Sequence, residues 1–304
     1  MANSSATRLG YIPEVTPGTT PALALQLVRF TSITPRLAQG FVQSEEIVNS
    51  RELQDHIPIS RGGGLSVGVE YSYGAYHGIL EALLGGTWSA NVLQVGSTKR
   101  TQTWEAQYTD MTPAQYAAFR FGVVTKFALA IAKGQVQRGS FDVVSRFPVW
   151  GTATVGTGAA SAAPSNPVLN PNANVVLIQE GGAGSLSCTE FSMELLHEAI
   201  LNENLGSDQF TEMENGDILA RGSFSQYFKD RTVLDKFVNA TDTSLQLQIG
   251  GATTLRDDFL FGSVKLTTPP DLPTGRRGQP IIVRFGWEAK YNATSSTIRI
   301  TRNP

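Results

Sequence analysis

Residues 64–73, GLSVGVEYSY, alternate apolar and polar side chains, and no other stretch limits the possible folds as tightly. Leu65, Val67, Val69 and Tyr71 fall on one face, Ser66, Gly68 and Glu70 on the other. Successive side chains of an extended backbone point to opposite sides, so a period of two requires a strand with one packed and one wet face. In AYHGILEALLGGTW (75–88) the period changes. Tyr76, Ile79, Leu80, Leu83 and Leu84 recur at helical spacing, and Gly85-Gly86 ends the run. ANVLQV (90–95), TQTWEAQYT (101–109), FRFGVVTKFALAIA (119–132) and QVQRGSFDVV (135–144) then read as strands. The fold class expected is mainly β with a flanking helix.

The same order of elements recurs. LARGSFSQY (219–227) reads as a strand and DRTVLDKFVNAT (230–241) as a helix; SLQLQI, FLFGSVKL and PIIVRFGWEAKY read as further strands. An offset of 154 places Gly68 on Gly222, Ile79-Leu80 on Val233-Leu234 and Leu83-Leu84 on Phe237-Val238. Later, Phe121-Gly122 answers Phe261-Gly262, and Phe141 and Val143 answer Phe285 and Trp287. This reads as a diverged duplication, the alternative being chance agreement of generic strand–helix–strand patterning. At that offset Phe224 lands on the face of Glu70, which requires a bulge or a one-residue slip. Between the halves, residues 151–174 carry no charge and almost no large apolar side chain, the composition of a linker or long loop. The expected organisation is therefore a first domain over 1–150, a linker over 151–174 and a second domain over 175–304.

Several functional classes find no support. The formal net charge of −2 gives no basis for coating DNA, which takes an excess of Lys and Arg. Cys188 is the single cysteine, so the chain has no internal disulfide and no thiolate metal cluster. His56, His77 and His197 form no ligand-spaced pair, so no metal or other cofactor is expected. His77, beside Tyr76, reads as an exposed or interfacial imidazole. RGGGLS (61–66) leads into a strand and not a helix, so it lacks the amide array that holds phosphate and reads as a bend. Neither a nucleophile-elbow nor a phosphate-loop motif is present, and no carboxylate pair has glycosidase spacing, so the chain is not expected to be an enzyme. The start, MANSSATRLGYIPEV, lacks the apolar core of a secretory signal, and FALAIA falls far short of the roughly 20 residues that span a bilayer. Synthesis in the cytoplasm, away from membranes, is the expectation.

YIPEVTPGTTPALALQLVRFTS (11–32) resembles the start of siphophage major tail tube proteins: an aromatic residue, then E-x-x-x-G-T-x-P (Glu14, Gly18, Thr19, Pro21), then a strand around Arg29-Phe30-Thr31. SEEIVNSRELQD (44–55), GLSVGVEYSYGAYHGILEALLGGTW, GSFSQYFKDRTVLDKFVNATDTSL and IIVRFGWEAKY with SSTIRITRNP are similar to later segments of that family. The resemblance implies two tandem β-sandwich or barrel domains, each with one flanking helix, whose sheets join across subunits into a ring. It implies a structural virion protein: stacked rings forming the hollow conduit for DNA ejection from a phage tail. Duplicated members are expected to be homotrimers with pseudo-sixfold symmetry. The partners implied are further copies of the chain, the tape measure protein, and the tail terminator and distal tail proteins. The alternative is another virion part, a capsid decoration or receptor-binding module.

Within that frame Ser66, Gly68 and Glu70 are candidates to face the channel, in a lining of small polar and acidic side chains past which DNA slides without specific binding. About four strands from each of six domains, about 4.8 Å apart and tilted about 40°, leave an opening of roughly 35–40 Å. Contacts between rings or subunits are assigned to two polar stretches, 42–60 and 196–216. The first supplies Glu45, Glu46, Ile47, Arg51, Glu52, Leu53 and Asp55, the second Ile200, Leu201 and Phe210. These apolar residues are expected to be exposed on a lone subunit; mobile solvated loops are the plainer alternative. The arm through Pro21 and the C-terminal TIRITRNP are further candidates to reach neighbours.

Overall fold

The computed structural model describes residues 3–49, 52, 55–268, 270 and 277–304. Strands dominate, as the alternation requires. β1 (Thr7–Pro13), β2 (Gln26–Leu27), β3 (Ser32–Gln43) and β4 (His56–Glu70) precede helix α1 (His77–Leu84). β5 (Val92–Gln94), β6 (Gln102–Tyr108), β7 (Gln115–Ala132), β8 (Arg138–Ser145) and β9 (Val149–Gly151) complete the first half. The short helix α2 (Pro171–Asn174) leads to β10 (Val175–Glu180), β11 (Ala183–Ser185) and β12 (Cys188–His197). Then come β13 (Ile200–Glu203), β14 (Phe210–Glu214), β15 (Ile218–Tyr227) and helix α3 (Thr232–Val238). β16 (Thr243–Gly250), β17 (Arg256–Thr268), β18 (Ile282–Ala289) and β19 (Arg299–Asn303) end the chain.

Seventeen of these strands belong to one antiparallel network, and β13 and β14 pair with each other. The network does not close into a barrel, contrary to expectation. Closure requires the last strand to bond the first; here the path β3–β4–β8–β7–β12–β15–β18–β17 ends on open edges. Among the described residues β3 pairs with β4 alone, and β17 beyond Val264 pairs only with β18.

β7 makes this path possible. Its first part bonds β6 and β9, while its second part bonds β8 and β12. The change of layer falls at Phe121, whose φ of 55° is unusual for a bulky residue, and at Gly122, where a Cβ would stand 2.6 Å from the Gln102 carbonyl oxygen. Glu14 holds the bend. Its carboxylate accepts from the Phe121 amide at 2.9 Å, the Thr103 hydroxyl at 2.7 Å and the Gly18 amide at 2.7 Å. The arm is bound within its own chain along β1, which pairs with β6 through its whole length. β19 is likewise bound, to β17 and β5.

α1 buries Ile79, Leu80, Leu83 and Leu84, and Gly85 caps it at φ 60° as the Gly-Gly stop implies. It packs on β7 and reaches β12, so it covers the junction of the two halves. A buried polar cluster ties that junction. Asp257 of β17, wholly buried, accepts from the Tyr71 hydroxyl at 2.9 Å and pairs with His77 Nε2 at 2.8 Å. Burial, and then the Asp257 charge, push the Tyr71 phenol well above its ordinary value, so it stays a donor. The imidazole is interfacial.

Three local expectations are corrected. RGGGLS is strand and not bend: β4 runs through it, and glycines are needed because a Cβ at Gly63 or Gly64 would stand 2.6 Å from the carbonyl oxygen of Arg146 or Val143. Residues 29–31 are not strand; Arg29 turns its guanidinium to the carbonyl oxygens of Asn166 (2.5 Å) and Pro164 (3.4 Å). Residues 151–174 are tied down despite their linker composition. Thr154 and the Val155 amide donate to the buried Glu105 carboxylate at 2.8 and 2.6 Å; the Leu169 amide donates to the Tyr71 carbonyl oxygen, and the Leu169 carbonyl accepts from the Gln137 amide. Polar backbone supplies what the missing apolar side chains cannot.

Asp257→Ala leaves a buried hydroxyl without its acceptor and removes the imidazole's partner. A loss of about 2–4 kcal/mol is expected in denaturant unfolding, against about 1 kcal/mol for Tyr71→Phe.

Candidate assembly and channel surface

Pairing partners in a sheet share a face, so the registers show which side chains stand together. One row crosses eight strands: Ser32, Gly68, Ser140, Ala128, Glu194, Arg221, Glu288 and Lys265. The next row carries Glu70, Arg138, Ala130, Ser192, Ser223, Gly286 and Thr268. On the other side of Gly68, Ser66 stands with Thr34, Asp142 and Lys126. Ser66, Gly68 and Glu70 therefore lie together on one face, opposite the buried Leu65, Val67 and Val69. The face is concave across β7, β8, β12, β15, β17 and β18.

It is not acidic. Lys126, Arg138, Arg221, Arg284 and Lys265 stand among Glu70, Asp142, Glu194 and Glu288. Glu194 bridges Lys126 at 2.6 Å and Arg221 at 2.8 Å, spanning the β7–β12–β15 junction. Partial burial favours its neutral form, but the two cations outweigh that and hold its carboxyl below the usual value. Mixed signs were not legible earlier because the period of two identifies a strand's faces and not the neighbours that share them.

The two polar stretches lie within hairpins. β3 and β4 are paired out to Gln43↔His56, so residues 42–43 and 56–60 are strand and the tip is 44–55. Glu45, Glu46 and Asp55 lie exposed at that tip, and Ile47 is 99% exposed. Glu52 is exposed too; Arg51 and Leu53 fall outside the described residues. Leu37, Phe41, Val42, Ile57 and Ile59 add exposed apolar surface along the hairpin. The strand pattern missed these residues because an apolar strand position does not reveal whether a neighbour covers it.

In the second stretch Ile200 is exposed and Leu201 half-buried, but Phe210 is only 6% exposed, against expectation. β13 and β14 fold back onto the β7 bend. The Phe210 ring packs edge-on against Phe121 at 5.1 Å, with Val123 and Met213 beside it. Among the described residues no cluster of metal-ligating side chains occurs, and no helix is long and apolar enough to cross a membrane.

The site is thus an open sheet with free edges, one concave polar face and an exposed apolar hairpin. A family model described as phage tail tube protein matches residues 4–289, and the chain belongs to that family. It is accordingly a structural component of the phage virion. No curated protein matches the chain.

Glu194→Gln removes a charge shared by two cations. A carboxyl with a depressed folded-state pKa stabilises the fold above its unfolded value of about 4.5, and that contribution disappears as pH falls through the folded value. Chemical denaturation is expected to show the variant weaker by roughly 0.5–1 kcal/mol at pH 7, allowing for solvent screening. The difference should close as pH falls through that depressed folded-state value.

Proposed function

We propose that the chain is the repeating subunit of the tail tube: two tandem domains in one chain, three chains to a pseudo-sixfold ring, and stacked rings around a channel for DNA. The carrying observation is the β7–β12 junction, where seven residue pairs from Glu190↔Ala132 to Leu196↔Lys126 make one sheet of the two halves. A joint of this kind inside the chain serves as a template for a joint between chains.

The registers support tandem domains. β6 meets β7 with Trp104↔Phe119 and, across a bulge, Gln102↔Gly122; β16 meets β17 with Leu245↔Phe261 and, across a bulge, Thr243↔Val264. β7 meets β8 with Val124↔Val143, a bulge, then Lys126↔Asp142; β17 meets β18 with Leu266↔Trp287, a bulge, then Thr268↔Gly286. Both strands bulge at matching places. The correspondence of Phe141 with Phe285 and Val143 with Trp287 fits these registers. Two others shift: Phe119 answers Phe261, and Val67 answers Phe224. Phe224 then falls on the apolar face and needs no slip.

By this correspondence β3 is the counterpart of β12, and β17 of β7. Ring closure would set β3 of one copy beside β17 of the next, with Ala38 facing Thr268 as Leu196 faces Lys126. Exposure supports the match. Leu195 is fully buried at the internal junction, whereas its counterpart Leu37 is 54% exposed; Leu84 on α1 is 1% exposed, its counterpart Val238 on α3 65%. Both exposed residues sit where a neighbour would cover them. Three chains supply 24 strands, which at about 4.8 Å spacing and about 40° tilt give a wall near 150 Å around, wide enough for a duplex. Ser66, Gly68 and Glu70 would line it. Cations already held by carboxylates, as Lys126 and Arg221 are by Glu194, would not grip phosphate. Tape measure, terminator and distal tail proteins are the partners such a tube requires.

Negative-stain imaging of the purified protein is expected to show threefold rings or hollow tubes; a monodisperse monomer at high concentration, even with tail-initiating partners present, counts against the reading. Leu37→Lys, at an exposed position, should change subunit stability by less than about 0.5 kcal/mol yet abolish the rings.

A further inference from the structure

The two long hairpins agree in register up to Gln39↔Arg61 in one and His197↔Ile218 in the other. Beyond those pairs come excursions of nearly equal length, 41–59 and 199–216, with different fates. The second is seated on the chain itself. Arg146 lies 4.7 Å over the Phe121 ring and donates to the Phe210 carbonyl oxygen at 2.9 Å; the Phe147 amide donates to Gln209 Oε1 at 2.8 Å. Glu214 and Asp208 of the same excursion pair with Lys99 and Arg61 at 2.6 and 3.4 Å. An acidic tip thus rests on a seat that is basic and aromatic. The first excursion, also acidic at Glu45, Glu46 and Asp55, leaves Ile47, Phe41 and Ile57 exposed.

The second half carries a related surface, open to solvent at its tyrosine among the described residues. Arg146-Phe147 follow β8, and Lys290-Tyr291 stand at the same distance beyond β18. The Arg146 amide bonds the Arg120 carbonyl oxygen near the bend of β7, and the Lys290 amide bonds the Ser263 carbonyl oxygen at the like place in β17. Tyr291 is 74% exposed, and Lys265 and Lys290 converge on the Asp242 carboxylate, with Glu288 cross-strand from Lys265.

We propose that the β3–β4 tip of one copy clamps onto the Lys265–Lys290–Tyr291 surface of the next copy in the ring. The proposal rests on the ring reading above and names the surface that completes it. The backbone joint alone is short: Pro269 and Pro270 follow Thr268 and have no N–H to give β3. A charged and apolar clamp supplies contact where the sheet cannot.

The test uses two single variants in a Cys188→Ser background, Ile47→Cys and Tyr291→Cys, assembled together and treated with a short bis-maleimide. A covalent dimer in the mixture, and little in either variant alone, is the expected result. Tubes seen by microscopy without that dimer overturn the clamp and leave the tube reading intact. No assembly of the unaltered protein overturns both. Should either cysteine variant fail to assemble, charge exchange decides: Glu45→Lys/Glu46→Lys is expected to lower the sedimentable fraction about tenfold, and adding Lys290→Glu to restore it. Failure to restore overturns the clamp.

Discussion

Backbone hydrogen bonds between Lys126–Ala132 of β7 and Glu190–Leu196 of β12 make the two halves a single body. Strands buried at such a junction cannot leave amides unpaired without a cost comparable to a lost hydrogen bond, so the pairing is obligatory once the halves meet. Much else follows from it. α1 finds a floor spanning both halves, Asp257 comes under Tyr71 and His77, and Glu194 reaches cations on both sides. The same requirement acts at the open ends, where the free edges of β3 and β17 meet water in a lone subunit.

Three carboxylates do related work at separate points. Glu14 gathers a backbone amide from the β7 bend and another from the N-terminal arm. Glu105 collects the start of the uncharged segment after β9. Asp257 joins the halves. Each converts an irregular piece of chain into a fixed one by accepting hydrogen bonds that no strand offers. Glu14 and Gly18 belong to the motif that resembles the tail tube family, and the structure supplies a physical reason for both: one accepts, and the other adopts a φ of 78° beside Arg146.

Contrasts between the halves bear on the ring reading more than their likeness does. Under the proposed correspondence, Leu195 and Leu84, both buried, answer to Leu37 and Val238, both exposed. Leu37, Ile47 and Val238 are the exposed apolar residues that the ring reading would cover.

How much was legible in the residues depended on whether the signal was local. The alternation in 64–73 gave a strand and its two faces, and helical spacing ended by Gly85 gave α1, because side-chain direction is a property of a few consecutive residues. Ser66, Gly68 and Glu70 were placed on one face for the same reason. What shares that face with them, the burial of Phe210, and the tethering of 151–174 were decided only by tertiary structure. Each depends on a partner far away in sequence, and the pattern of a strand states which side must be covered without naming what covers it.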